Sequence, residues 1–388
     1  MSSRITDLKT GPESVQLRLA DGSYGEFHHI WLRDNCGCQK CRHPHTQERL
    51  FDLLTVPEDI QPAHAEIDGN GALKLIWPGD GHVSVFQPDW LRATCYAGDV
   101  STETTTETIS RVLWDASKIA DIPEAKYGQV CADNGLFLDW LTALREWGVA
   151  LLRYVPTDKH ETLRFAERIG PARKTNFGTD WDVISMMNPN SNAYTDLPLM
   201  SHTDLPNWEI PPGYQLLHCL INEAGGGESI LVDGFRVANE LRTTAPDSFD
   251  LLTQIPLDFR FRDVDNDIHY RSPAIRLGSD GEITEIRFSI ALMGALSVPG
   301  HLMAAVYRAH RRFAALLRQR RFELRFRLNA GDMMLFDNRR VLHGRTAFDA
   351  STGHRHLRGT FMDYDVLDSR IRILRQAMAD SAAAGPKS

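Results

Sequence analysis

Along the first hundred residues, hydrophobic and polar positions alternate in short runs. Val15, Leu17 and Leu19 occupy every second position, Asp21-Gly22 marks a turn, and residues 24–32 resume strand-like character. A second hairpin is expected from residues 65–67, a Gly- and Asp-rich turn over 68–71, and residues 72–77. The polar stretch 101–107, STETTTE, breaks this pattern and reads as part of a linker. Apolar residues at helical spacing then predict helices over 139–147 and 160–169. Beyond residue 180 short strands dominate, at 214–220, 229–232 and 283–288, and residues 301–322 read as one amphipathic helix, basic on its outer face. Residues 332–337, 338–340 and 341–343 read as strand, turn and strand. Many short strands with a few covering helices make the expected fold mainly β with flanking helices, a double-sheet barrel or jelly roll. The expected organisation is a small N-terminal β-rich domain over 1–98, a linker over 99–135 and the main domain over 136–388.

A chain of 388 residues, 42% hydrophobic and 24% charged, can bury a sizeable core without disulfide staples. Its 43 Lys and Arg against 51 Asp and Glu give a net charge of -8, which opposes nucleic-acid binding driven by bulk charge. The N-terminal residues MSSRITDLKTG contain no apolar secretion core, and no apolar run approaches the roughly 18 residues of a membrane span. A cytoplasmic protein is expected. Three of the six cysteines, Cys36, Cys38 and Cys41, lie too close together for a disulfide framework. Three thiolates in one turn-rich loop suit tetrahedral Zn²⁺ with a histidine as fourth ligand. His43, His45, His64 and His82 are the candidates; the first two sit so near Cys41 that chelation would strain the loop. Four protein ligands would close such a site, so a structural zinc is expected.

A second constellation is His202-Thr203-Asp204. On an extended segment, residues i and i+2 point to one side. His343, from a distant strand, would complete a face of two histidines and one carboxylate, which holds Fe(II) and leaves positions open for O₂ and a co-substrate. Arg355, twelve positions beyond His343, offers the fork geometry that pairs with a carboxylate. His354 and His356 alternate with Arg355 and would face away from it in a strand, so both read as structural.

These residues resemble those of the γ-butyrobetaine hydroxylase and trimethyllysine dioxygenase group of Fe(II)/2-oxoglutarate oxygenases. The matching stretches are WLRDNC at 31–36 with its cysteine cluster, AYT at 193–195, HTD at 202–204 and PGYQLLHC at 212–219. They continue with Gly226-Gly227, LVDGF at 231–235, FDN at 336–338, LHGR at 342–345 and RHL at 355–357. The resemblance implies a double-stranded β-helix oxygenase domain behind a zinc module, with His202, Asp204 and His343 as the catalytic iron ligands. It further implies that Arg355 clamps the distal carboxylate of 2-oxoglutarate with help from Ser229, and that Cys36, Cys38, Cys41 and His82 hold zinc. Related halogenases lack the carboxylate that Asp204 supplies, so hydroxylation with O₂ as co-substrate is the implied outcome. An aromatic cage for a trimethylammonium group is implied at Phe177, Trp181, Tyr194 and Phe361, where ring faces attract a cation that cannot donate a hydrogen bond. Family members are commonly homodimers, and the same state is expected here.

One departure from the family pattern bears on the substrate. Carboxylate-binding relatives carry an Asn-Asn pair after a strand Phe, whereas this chain reads Arg287-Phe288-Ser289-Ile290. Arg287 and Ser289 on one strand face would suit a tetrahedral oxyanion, so (2-trimethylammonio)ethylphosphonate, hydroxylated at C1, is the first expected substrate. The plain alternative for Arg287 is an ion pair, with Asp263 or Asp265 as the partner considered. γ-Butyrobetaine, hydroxylated to L-carnitine, comes next and trimethyllysine after it. Outside this class, the acidic balance opposes a zinc-ribbon nucleic-acid module, and the intact triad with Arg355 opposes a binding-only betaine sensor.

Overall fold

The computed structural model describes residues 4–96, 110–184 and 195–383. The chain divides into two compact units, Met1–Thr108 and Ile109–Ser388.

In the first unit the alternating pattern becomes two three-stranded antiparallel sheets. One joins Ile5–Thr10, Ser14–Leu19 and Tyr24–His28; the other joins His64–Ile67, Leu73–Ile76 and Val83–Phe86. Their inward side chains, among them Val15, Leu17, Leu73, Leu75 and Trp77, share one core. The 68–71 turn is closed by the Asp68 carboxylate, which accepts from the backbone N–H of Asn70 and of Ala72 at 2.9 Å. The strand expected over 24–32 stops at His28 and gives way to the helix His29–Asp34. Leu32 is fully buried there, and Asn35 closes the helix through its backbone N–H and its side-chain amide, both on the Trp31 carbonyl.

In the second unit the main sheet runs Asp180–Val183, Arg355–Met362, Tyr214–Asn222, Met333–Asp337, Val149–Arg153, Glu124–Lys126, with Ala172–Arg173 as a seventh strand on Arg355–Met362. A four-stranded sheet runs Leu199–His202, Val341–Arg345, Ser229–Asp233, Glu323–Phe326. The two sheets face each other, because Leu217, Met334, Phe336 and Leu357 of the first share a cluster with Leu231, Leu324 and Val341 of the second. Tyr214, Leu216, Met333 and Leu335 point the other way, onto Phe137, Trp140, Phe165 and Ile371 of flanking helices. Central strands buried on both faces lose the alternation of a half-exposed strand, which is why 214–220 reads as a continuous apolar run. Helices Gly234–Thr244, Pro246–Gln254 and Gly300–Leu317 cover the outer face of the smaller sheet through Phe235, Leu241, Leu252 and Phe313. The fold is a mainly β jelly roll with flanking helices, as the sequence predicts.

Three further boundaries differ from expectation. The linker expected over 99–135 is ordered in its latter part: Trp114 is 1% exposed, and Glu124–Lys126 pairs in parallel with Val149–Arg153. The Thr-rich stretch 101–107 lies outside the described residues. The helix expected over 301–322 ends at Leu317, and a separate turn, Arg320–Phe322, returns Phe322 to the core. The strand expected over 283–288 stops at Ile286, where the Ile286 N–H leaves the hairpin for the Arg339 carbonyl.

Candidate active site and zinc site

His202 ends one strand of the smaller sheet and His343 lies at the centre of its neighbour, directly opposite in register, with ring centroids 4.4 Å apart. Asp204 follows two residues on. One carboxylate oxygen lies 3.2 Å from His202 Nε2 and the other 3.7 Å from His343 Nε2. Donors bound side by side at about 2.1 Å from a metal stand about 3 Å apart, so the three groups could hold one ion. His202 Nδ1–H donates to the Met200 carbonyl at 2.9 Å, which leaves the Nε2 lone pair for a ligand. The Asn338 side chain clamps the Asp204 backbone from both sides, accepting from its N–H at 2.7 Å and donating to its carbonyl at 3.0 Å. Burial would raise the Asp204 pKa, but the two histidines beside it hold it at about 2. Burial, reinforced by the charge of His202, pushes His343 down to about 3. Against burial, Asp204 raises the pKa of His202, so a divalent cation would have to displace a proton from that imidazole.

The triad opens into a cavity of about 90 Å³ that also exposes Trp181, Gln215, Ser229, Arg345 and Arg355. Arg355 is buried, its Nε–H has no hydrogen-bond partner, and it makes no ion pair among the described residues. Burial lowers its pKa to about 10, so it remains a cation at neutral pH. A buried guanidinium without a counter-charge is costly, and an incoming carboxylate relieves that cost. The residues present therefore fit a dicarboxylate such as 2-oxoglutarate, anchored at one end by Arg355. Ser229 lines the same wall, opposite Arg345 in the strand register. His356 faces outward to Asp182 at 2.8 Å, the structural role expected of it, and His354 is exposed.

Trp181 and Phe361 come together, with ring centroids 4.3 Å apart and only Trp181 reaching the cavity wall. Trp181 lies opposite Gly359 in the sheet, where a Cβ would stand 2.7 Å from the indole. Phe177 packs edge-on against Phe261 at 5.5 Å and is not part of the cavity wall. Tyr194 lies outside the described residues.

Arg287 is not placed to clamp an anion. It is 1% exposed and ion-paired to Glu285, and it donates to the carbonyls of Trp208 at 2.7 Å, Glu209 at 2.8 Å and Pro206 at 3.3 Å. Its donors thus brace the loop that follows Asp204. The partner is Glu285, two positions back and on the same side of the strand, rather than Asp263 or Asp265; Asp263 accepts from Asp265 and Asn266 instead. Ser289 is buried beyond Phe288, whose backbone pairs with Thr203, and Ile290 is exposed.

In the first unit, Cys36, Cys38 and Cys41 surround His82, whose Nε2 lies 3.3, 3.6 and 3.5 Å from the three sulfurs. Tetrahedral zinc with bonds of about 2.3 Å to sulfur and 2.0 Å to nitrogen sets such pairs about 3.5 Å apart. Gly79 and Gly81, both at positive φ, turn the chain so that His82 reaches the cluster, and the Asp80 carboxylate accepts from the His82 N–H. Arg33 donates to Cys41 Sγ at 3.3 Å, placing a cation beside the thiolates. His43 accepts from the backbone of His45 and Thr46, and His64 pairs with Glu66. Neither joins the cluster.

Gln215, Asn338 and Arg345 carried no assigned role from sequence. The visible signal for Gln215 was an amide inside the apolar run YQLLHCL.

Residues 117–361 match the family described as Taurine catabolism dioxygenase TauD, TfdA family, and residues 6–92 match Gamma-butyrobetaine hydroxylase-like, N-terminal. The chain is 41% identical to the gamma-butyrobetaine dioxygenase of Pseudomonas sp. (strain AK-1) over 362 residues, 93% of this chain and 94% of that protein. It is 30% identical to the trimethyllysine dioxygenase of Meyerozyma guilliermondii over 98% of this chain and 99% of that one. It is 31% identical to the gamma-butyrobetaine dioxygenase of Homo sapiens over 94% and 95% respectively. A crystal structure of asparagine oxygenase covers 61% of this chain and 81% of its own, at 17% identity and a TM-score of 0.47. With similarity running through both units, the chain belongs to the γ-butyrobetaine and trimethyllysine dioxygenase family of Fe(II)/2-oxoglutarate-dependent oxygenases.

Proposed function

We propose that this enzyme hydroxylates a C–H bond of a small zwitterion carrying a trimethylammonium group. The observation that carries the reading is one cavity combining the His202, Asp204, His343 triad, the unpaired Arg355 and the Trp181 ring. Iron and 2-oxoglutarate supply the oxidising chemistry, 2-oxoglutarate leaving as succinate and CO₂ while one atom of O₂ enters the product. His202, Asp204 and His343 would hold the metal. Arg355 and Ser229 orient the co-substrate, and Trp181 with Phe361 behind it presents an aromatic face to the quaternary ammonium, for which ring attraction is worth roughly 0.5–2 kcal/mol. The chain's part is to set one substrate carbon beside the metal, where orientation replaces a bimolecular encounter.

The phosphonate substrate rested on Arg287, and that guanidinium is already engaged by Glu285 and three carbonyls. γ-Butyrobetaine, the named substrate of the 41%-identical relative, therefore ranks first, ahead of (2-trimethylammonio)ethylphosphonate and trimethyllysine. The zinc role of the Cys36, Cys38, Cys41 and His82 cluster, a cytoplasmic setting and a homodimer belong to the same proposal. No helix of the described residues is long and apolar enough to cross a membrane. The test is succinate formation by iron-loaded protein with each substrate in turn, with product followed by mass. Substrate-dependent succinate with a product 16 Da heavier supports the reading, and no stimulation by any of the three overturns it.

A further inference from the structure

Arg345 is a second buried guanidinium in the triad cavity. It is 5% exposed, its Nε–H has no hydrogen-bond partner, and it makes no ion pair among the described residues. In the sheet register it lies directly opposite Ser229 on one side and Leu199 on the other, so these three side chains share the face turned to the cavity. Its guanidinium carbon stands 4.7 Å from the centroid of the Phe348 ring, and that of Arg355 stands 5.5 Å from the same centroid. Two buried cations thus share one ring, which attracts each weakly but supplies no counter-charge.

Arg345 and Phe348 also hold three successive backbone carbonyls. Arg345 Nη2 donates to those of Thr195 at 2.7 Å and Leu197 at 2.9 Å, and the Phe348 N–H donates to that of Asp196 at 3.2 Å. Leu197 is 62% exposed and Asp196 is exposed, so these bonds, more than apolar burial, hold the segment. It runs into the strand Leu199–His202, which ends on the first histidine of the triad. We propose that Arg345 is a positioning residue that couples the carboxylate subsite of the cavity to segment 195–197. An anion held by Arg355 and Ser229 supplies the counter-charge that both guanidinium groups lack, fixes Arg345 over Phe348 and so tightens the carbonyl bonds. By linkage, an ordered segment favours the anion to the same extent. The proposal rests on reading Arg355 and Ser229 as the 2-oxoglutarate site.

The test uses full-length, iron-loaded protein kept free of O₂ and titrated with 2-oxoglutarate. Amide hydrogen exchange of peptides covering 195–202 is followed by mass, and the dissociation constant by calorimetry. In the unaltered chain 2-oxoglutarate should slow exchange in that segment several-fold. Arg345→Gln, or Arg345→Met where circular dichroism shows the glutamine variant unfolded, should raise the dissociation constant about tenfold and remove the slowing. A folded variant that keeps either the affinity or the slowing overturns the proposal, as does an unaltered chain whose segment is indifferent to 2-oxoglutarate. Arg355→Gln, measured in parallel, separates the two readings. If it binds 2-oxoglutarate as the unaltered chain does, the co-substrate assignment itself is wrong; if it loses affinity while the Arg345 variants do not, only the role of Arg345 falls.

Discussion

Asp204 is the residue on which most of the chemistry converges, since it meets both histidines and the Asn338 clamp on its backbone. Asp204→Ala should abolish hydroxylation and weaken Fe(II) binding by more than about a hundredfold, which metal titration and product analysis would check. In the proposed reading Arg355 binds the other end of the co-substrate. Arg355→Lys keeps the charge but loses the two parallel N–H bonds of the fork, so the KM for 2-oxoglutarate should rise about tenfold or more with metal affinity unchanged. Arg287 separates structural from substrate roles. Arg287→Leu leaves the buried Glu285 with Arg276 alone, at 3.5 Å, and should cost up to about 3 kcal/mol in denaturant unfolding, with no selective loss of one substrate over another. A variant of normal stability that rejects only anionic substrates would restore Arg287 to the binding site.

At the scale of elements, the turn between Met333–Asp337 and Val341–Arg345 organises the site. Asn338 holds Asp204, Arg340 pairs with Asp233 in full burial, and His343 follows on the next strand. Asp233 also caps the helix Gly234–Thr244 by accepting from Phe235 N–H at 3.0 Å. Asp337, beside that clamp, has its pKa raised to about 6 by burial, against the hydrogen bond from the Arg339 N–H. A carboxyl raised in the folded state binds its proton more tightly there than in the unfolded chain. Its effect on stability is therefore most favourable below about pH 4 and is lost as pH rises through about 6. Asp337→Asn should flatten that part of the stability profile, measurable by urea unfolding at pH 5 and pH 7. The Gly359 strand supplies a further element-scale constraint. Because a Cβ there would stand 2.7 Å from the Trp181 indole, Gly359→Ala should shift the ring and raise the substrate KM several-fold, more than it affects Fe(II) binding.

At the scale of the whole chain, two candidate metal sites of opposite design coexist. The iron triad leaves one side to a cavity, whereas three sulfurs and one imidazole enclose the zinc position, with Arg33 beside Cys41. Dialysis against EDTA should strip iron while leaving about one zinc per chain, as elemental analysis would show. Cys36→Ser should lose that zinc and destabilise the first unit.

Both metal sites were legible in the chain because their ligands are rare, polar residue types whose spacing survives without coordinates. Cys36, Cys38, Cys41 and the HTD triplet at 202–204 announce chemistry by composition alone, and alternation along 15–20 and 72–77 announced the hairpins. The family resemblance chose His82 among the four candidate histidines and gave Arg355 its 2-oxoglutarate role, which no local spacing selects. Tertiary structure decided what depends on partners distant in sequence. Arg287 looked like a substrate clamp until Glu285 and the carbonyls of 206, 208 and 209 proved to consume its donors. Gln215 carried no role in the sequence, and the fold sets it on the wall of the triad cavity. A side chain's type states what it can bind, but which partner is within hydrogen-bond reach is set only when sheets pack and solvent leaves.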